Sequence, residues 1–129
     1  MILASGCFDG LHAGHVRYLH AAQRLDPSLP LWVTIVPDAY IRATKQREPH
    51  WPQADRAFTV SRLKGVAHVI SQAPDETVPD VIRRLAPTYF VKGPEWDGAL
   101  DREHLAACVE AGTTIHFTRQ YGKHWADAR

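Results

Sequence analysis

The alternation of segments along this chain of 129 residues predicts an α/β fold: a five-stranded parallel sheet with helices on both faces. Three observations carry that expectation. Short apolar stretches alternate with amphipathic ones from end to end, the order that lays strands side by side with crossover helices between them. The run Leu31-Trp32-Val33-Thr34-Ile35-Val36 is almost wholly apolar and rich in β-branched residues, which suits a strand buried on both faces. No internal repeat, linker or low-complexity stretch breaks the order, so residues 1–129 are expected to form a single domain.

The elements follow in order. Met1 to Ser5, small and apolar, read as a buried strand. From Ala13 to Leu25 the apolar positions Val16, Leu19, Ala22 and Leu25 recur every three residues, one face of a helix. Asp26-Pro27-Ser28-Leu29-Pro30 is a turn cluster whose prolines stop that helix. After the strand at 31–36, Pro37-Asp38 closes it. Residues 39–54 are the least regular part, a basic loop with prolines and Trp51. Residues 55–65 predict a helix capped near Asp55, with Phe58, Val60 and Leu63 apolar and Gly65 as its stop. Residues 66–70 read as a short strand. A helix over 76–85 presents Val78, Val81, Ile82 and Leu85 and ends before Pro87. Tyr89-Phe90-Val91 is a central strand, residues 101–111 a helix ended by Gly112, and residues 113–118 the last strand.

Composition narrows the function classes. A hydrophobic share of 45% with 22% charged residues is that of an ordinary globular chain, able to bury a core. A net charge of +1 gives no argument for nucleic acid or an anionic membrane as partner. No apolar run approaches the roughly 20 residues of a membrane helix, and the N-terminus lacks a signal peptide's basic region. With a first strand expected to start at Ile2, no targeting extension is expected, and the cytoplasm is the expected compartment. Cys7 and Cys108 form neither a zinc spacing nor a disulfide framework.

The chemistry gathers in Gly6-Cys7-Phe8-Asp9-Gly10-Leu11-His12-Ala13-Gly14-His15, a strand-to-helix turn with glycines and two histidines. Such a turn aims free backbone N–H groups and the positive end of a helix dipole at one point, a place for phosphate. Imidazoles can donate to non-bridging phosphate oxygens, and glycines let the backbone come close. Phosphoryl and nucleotidyl transfer need this positioning and charge stabilisation more than covalent help. Cys7 reads as a small residue buried at the strand's end or as a nucleophile, and Asp9 positions the turn or binds metal. Asp38, at the C-terminal end of a strand where open α/β sheets bind ligands, serves a substrate hydroxyl or caps the next helical turn.

With Gly6, Phe8, Asp9 and the H-x-G-H of His12 to His15, the turn resembles the G-x-F-D-x-x-H-x-G-H motif of the cytidylyltransferase-like nucleotidyltransferases. The resemblance runs over nearly the whole chain. It implies a Rossmann-like domain with its active site across the C-terminal strand ends. Also implied is transfer of a CMP or AMP moiety from CTP or ATP to a phosphorylated sugar or alcohol, with release of pyrophosphate. His12 and His15 would stabilise charge on phosphate, and Gly6, Cys7, Phe8, Asp9 and Gly14 would shape the nucleotide site. Lys45 matches a lysine that approaches the α-phosphate from the opposite side, with Arg47 as a second cation; the alternative is a solvated basic loop. Arg56 matches an arginine near the nucleotide, or else is a surface residue paired with Asp55. Trp51 stacks on a base or acceptor, or covers the rim of the core. Lys92-Gly93 is similar to the versions in ADP-heptose synthases, and Glu95-Trp96-Asp97-Gly98 to a stretch of glycerol-phosphate cytidylyltransferases; a surface turn is the alternative. These residues would lie against base and ribose. Mg²⁺ is implied with the triphosphate, without a closed ligand cluster in the sequence, and homodimers are common in the family.

The C-terminus departs from the pattern. Arg119 and Gly122 keep their relative places and Arg119 would hold the β- and γ-phosphates, but the family's Ser-Thr-Thr is absent. Lys123, His124 and Arg129 either replace it with charge or leave triphosphate binding weakened. Two other readings therefore stand beside the transferase: a catalytically impaired nucleotide-binding protein, and an adenylyltransferase making a dinucleotide cofactor.

Overall fold

Strand β1 (Ile2–Gly6) is buried from both sides, with Ile2, Leu3 and Ala4 wholly inaccessible. It runs parallel to β2 (Leu31–Ile35) on one side and β4 (Tyr89–Lys92) on the other, Ile2 standing beside Leu31 and Tyr89. β3 (Val66–Ser71) lies outside β2 and β5 (Thr114–Phe117) outside β4, which gives the order β3-β2-β1-β4-β5. The computed structural model describes residues 1–119. Within them the α/β, Rossmann-like architecture expected from the sequence is present, every neighbouring pair of strands being parallel.

The two-residue period of the strands sorts the core into two layers. Ile2, Ala4, Leu31, Val33, Ile35 and Val91 face helices α1 (Ala13–Leu25) and α3 (Gln53–Ser61), meeting Tyr18, Leu19, Ala22 and Val60. Leu3 and Phe90 face the other way. They meet α2 (Asp38–Lys45), α4 (Val78–Leu85) and α5 (Arg102–Ala111) through Ile41, Val78, Val81, Ile82, Ala107 and Cys108. Each fully buried side chain of this kind contributes roughly 1.5–3 kcal/mol. Cys108 is packing, as its place on an apolar helix face suggests. No helix among the described residues is long and apolar enough to cross a membrane.

The structure corrects the reading of residues 39–54 as irregular. They hold α2 and the start of α3, which begins at Gln53 after Pro52 and not at Asp55. Helix α2 buries only Ile41, so there is no periodicity to read. In α3 the buried face carries Val60 and Arg56 while Phe58 points outward, 63% exposed. In α1, likewise, Tyr18 is inside and Val16 is not.

Candidate functional site

A cleft of about 650 Å³ opens where β1 and β4 end, between the N-termini of α1 and α5 and the C-terminal half of α2. Its first wall is the turn after β1, and local sterics explain that turn. A Cβ on Gly6 would stand 2.8 Å from the Phe8 ring, so only glycine lets Phe8 fold back beneath the strand end. Phe8 itself has φ +49° and Gly10 φ +101°. The buried Phe8 ring meets His15 edge-on, at 5.3 Å between centroids.

The two histidines are held by the helix start they belong to. His12 is the N-cap of α1, and its Nδ1 accepts from the Gly14 N–H at 3.0 Å. The His12 N–H in turn donates to His15 Nδ1 at 3.2 Å. Because both Nδ1 atoms accept, the ring proton of each stands on Nε2. The rings stack at 3.8 Å and both line the cleft. Burial, with a smaller contribution from neighbouring His12, lowers the His15 pKa to about 4, so His15 is neutral at pH 7. The result is a pair of N–H donors beside the positive end of α1, which can bind phosphate oxygens and follow charge that develops on them.

Asp9 holds the turn's second neighbour. Its side chain is 2% exposed and accepts from Arg47 Nη1 at 2.8 Å and from the N–H groups of His50 and Trp51, each at 2.9 Å. Burial alone would raise its pKa; the three donors outweigh that and hold it at about 2. Both oxygens are committed, and among the described residues no group of three His, Cys, Asp or Glu could hold a metal ion.

The structure overturns the reading of Arg56 as a surface residue paired with Asp55 and pairs it with Asp38. The Arg56 guanidinium is wholly buried and donates to Cys7 O at 2.8 Å, Asp38 Oδ1 at 2.7 Å and Trp51 O at 3.0 Å. Arg56 is neither a surface residue nor open to a ligand, because its donors already meet three oxygens; Asp38 neither faces the cleft nor caps the helix through its side chain. Together they brace the turn from behind. Arg47 does line the cleft, tied to Asp9 and to Glu48 O. Trp51 lies outside it, 56% exposed, and acts through its backbone.

Lys45, exposed at the end of α2, enters from the face of the sheet opposite α1 and its histidines. Lys92 lines the floor, and Gly93 opens a turn of 3₁₀ helix over Pro94–Trp96 that carries Glu95 and Trp96 to the rim. Tyr18 ties α1 to β4 by donating to Val91 O. Cys7 is half-buried on the cleft wall, and burial raises its thiol pKa, which removes the basis for a nucleophile. Arg119 is exposed and stands outside the cleft lining; Gly122, Lys123, His124 and Arg129 lie outside the described residues.

Three residues of the cleft carried no signal that sequence reasoning could use. His104 Nδ1 is 2.6 Å from Asp101 Oδ1, and the pair faces the cleft with Tyr40. An Asp three residues ahead of a His at a helix start reads as an ordinary N-cap, which Asp101 also is.

Comparison with known proteins follows this geometry. A family model described as cytidylyltransferase-like matches residues 3–124. The bifunctional protein HldE of Wolinella succinogenes is 37% identical over 99 residues, 76% of this chain and 20% of that protein. FAD synthase of Pyrococcus horikoshii is 34% identical over 96 residues, 74% of this chain and 64% of that enzyme. The chain thus spans about a fifth of the one relative and under two thirds of the other. Among solved structures, the lipopolysaccharide core biosynthesis protein from Thermoplasma volcanium GSS1 superposes with a TM-score of 0.72 at 25% identity, covering 90% of this chain and 91% of that one.

Proposed function

The chain belongs to the cytidylyltransferase-like family, and from that premise we propose that it transfers a CMP or AMP moiety from CTP or ATP to a phosphorylated sugar or alcohol. A phosphate oxygen of the acceptor attacks the α-phosphorus and forms the new P–O–P bond. The bond from that phosphorus to the oxygen bridging the β-phosphate breaks, and pyrophosphate leaves with the electron pair. His12 and His15 donate from Nε2 to oxygens on the α-phosphate, Lys45 neutralises charge from the opposite side, and Lys92, Gly93, Glu95 and Trp96 contact the nucleotide. Arg119 is assigned to the β- and γ-phosphates. Mg²⁺ would enter bound to the triphosphate and offset part of its charge.

The observation that carries this reading is the pair of histidines whose Nδ1 atoms are both occupied, leaving Nε2–H donors at a helix N-terminus on the cleft wall. The relatives named FAD synthase favour a second reading, an adenylyltransferase that joins AMP to a mononucleotide. One experiment separates the two. A thermal-shift titration with CTP, ATP, GTP and UTP names the donor; at ~100 times its dissociation constant a ligand adds about 2.7 kcal/mol. Pyrophosphate release is then followed with glycerol 3-phosphate, a hexose 1-phosphate and FMN as acceptors. His15→Ala is expected to lower kcat by about 10²–10³. No shift with any triphosphate, or a shift without pyrophosphate release from any acceptor, overturns the transferase.

A further inference from the structure

The end of β4 carries a lysine, Lys92, with no ion-pair partner among the described residues. Lys92 Nζ lies 3.3 Å from Ser5 Oγ and 4.6 Å from the centroid of the Trp96 ring. No carboxylate among the described residues forms an ion pair with it, though three stand on the same cleft. Asp9 is taken by Arg47 and two backbone N–H groups, and Asp101 by His104. Glu95 folds over Gly93, its carboxylate 2.4 Å from the place a Cβ would occupy. One long hydrogen bond and one ring face are poor compensation for an ammonium taken out of water, which needs a counter-charge. A phosphate would supply that charge, and the same wall carries other groups a phosphate uses: the Nε2–H groups of His12 and His15, and Lys45.

We propose that Lys92 is the inner phosphate-receiving group of the cleft, held beneath the Trp96 ring and drawn off it when a phosphate enters. The proposal rests on reading the cleft as a nucleotidyl-transfer site and adds a residue-level coupling that reading does not contain. Burial holds Lys92 at about 8, with Cys7 and Glu95 acting against that lowering. From the side of α1, His12, His15 and Tyr18 line the same cleft, with Lys45 of α2 opposite, and burial keeps the Tyr18 hydroxyl protonated. Below pH 8 the ammonium is already formed. Above it, a phosphate beside the amine restores the charge, so binding takes up a proton and affinity falls as pH rises.

The test is tryptophan fluorescence of the full chain. Trp96→Phe serves as reference, since the sequence holds 4 tryptophans. Inorganic phosphate, glycerol 3-phosphate, CTP and ATP are the probes, at pH 7 and pH 9.5. The expected result is a signal in the wild type that Trp96→Phe lacks, with binding at least ~10-fold weaker at the higher pH. Lys92→Met is expected to weaken binding ~10-fold or more and abolish the signal. Lys92→Arg should retain binding and lose the pH dependence. A signal with inorganic phosphate and glycerol 3-phosphate assigns the acceptor's phosphate; a signal with CTP or ATP alone assigns the donor's. Unchanged binding in Lys92→Met while His15→Ala loses it overturns the role of Lys92 and leaves the transferase standing. No binding of any probe to the wild type overturns both.

Discussion

At the scale of single residues, the carboxylate of Asp9 fixes the loop at 47–51 against the histidine turn through three donors. Asp9→Asn replaces one acceptor oxygen with an amide that faces donors, which should cost about 3 kcal/mol in urea unfolding at pH 7. The pH dependence follows from the direction of the shift. With its pKa at about 2 against an ordinary 3.8, Asp9 contributes stability that is present above about pH 4 and lost as pH falls through 2. His15 acts in the same direction at higher pH. Its pKa is about 4 when folded against 6.5 when exposed, so its contribution is full above about pH 6.5 and fades toward pH 4 as the unfolded chain binds the proton. Unfolding free energies at pH 7, 5 and 3 should fall in that sequence, and His15→Ala should flatten the first interval. A profile level from pH 7 to 5 would refute the neutral, buried His15. The residue-level chemistry was partly legible: the turn followed from its glycines and its place between strand and helix, the histidines were singled out by resemblance to the family motif, and the hydrogen bonds that assign their tautomers needed coordinates.

At the scale of elements, the turn is rigid because it is braced from two sides. Arg56 of α3 donates to its Cys7 carbonyl and pairs with Asp38 at the start of α2, joining three elements through one buried guanidinium. Removing one partner of a buried pair typically costs 3–5 kcal/mol, because the other charge is left uncompensated. Arg56→Met should therefore lower the free energy of unfolding by about 3–5 kcal/mol in denaturant titration. It should also weaken phosphate binding without any ligand contact being lost. A variant of wild-type stability would show that Arg56 is not the brace. No sequence rule reveals this arrangement. An arginine read alone belongs on the surface, and only the approach of Cys7 and Asp38, distant along the chain, together with the nearby Trp51 carbonyl, makes burial tolerable.

At the scale of the whole molecule, the sheet is graded. β1 and β2 are almost fully buried and β4 buries its two central residues, while β3, on one edge, has three exposed residues of its six. Hydrogen exchange should follow that gradient, with amides of β1 and β4 opening only by global unfolding and those of β3 by smaller fluctuations. Equal protection across all five strands would contradict it. Phosphate binding is expected to slow exchange at 6–15 and 92–96 first, since both segments line the cleft.

The sequence by itself determined the strands, their alternation with helices, and the strand-to-helix turn that holds His12 and His15. Each is a local pattern of apolar period or turn chemistry, which survives without knowledge of neighbours, whereas Lys45 was singled out through resemblance to the family. Tertiary structure alone decided that Asp9, Asp38 and Arg56 are braces, that Asp101 and His104 join the cleft, and that Lys92 lies beneath Trp96 with no ion-pair partner among the described residues. Those outcomes depend on which distant groups meet in a low-dielectric interior. There a charge is stabilised only by the partners that packing delivers.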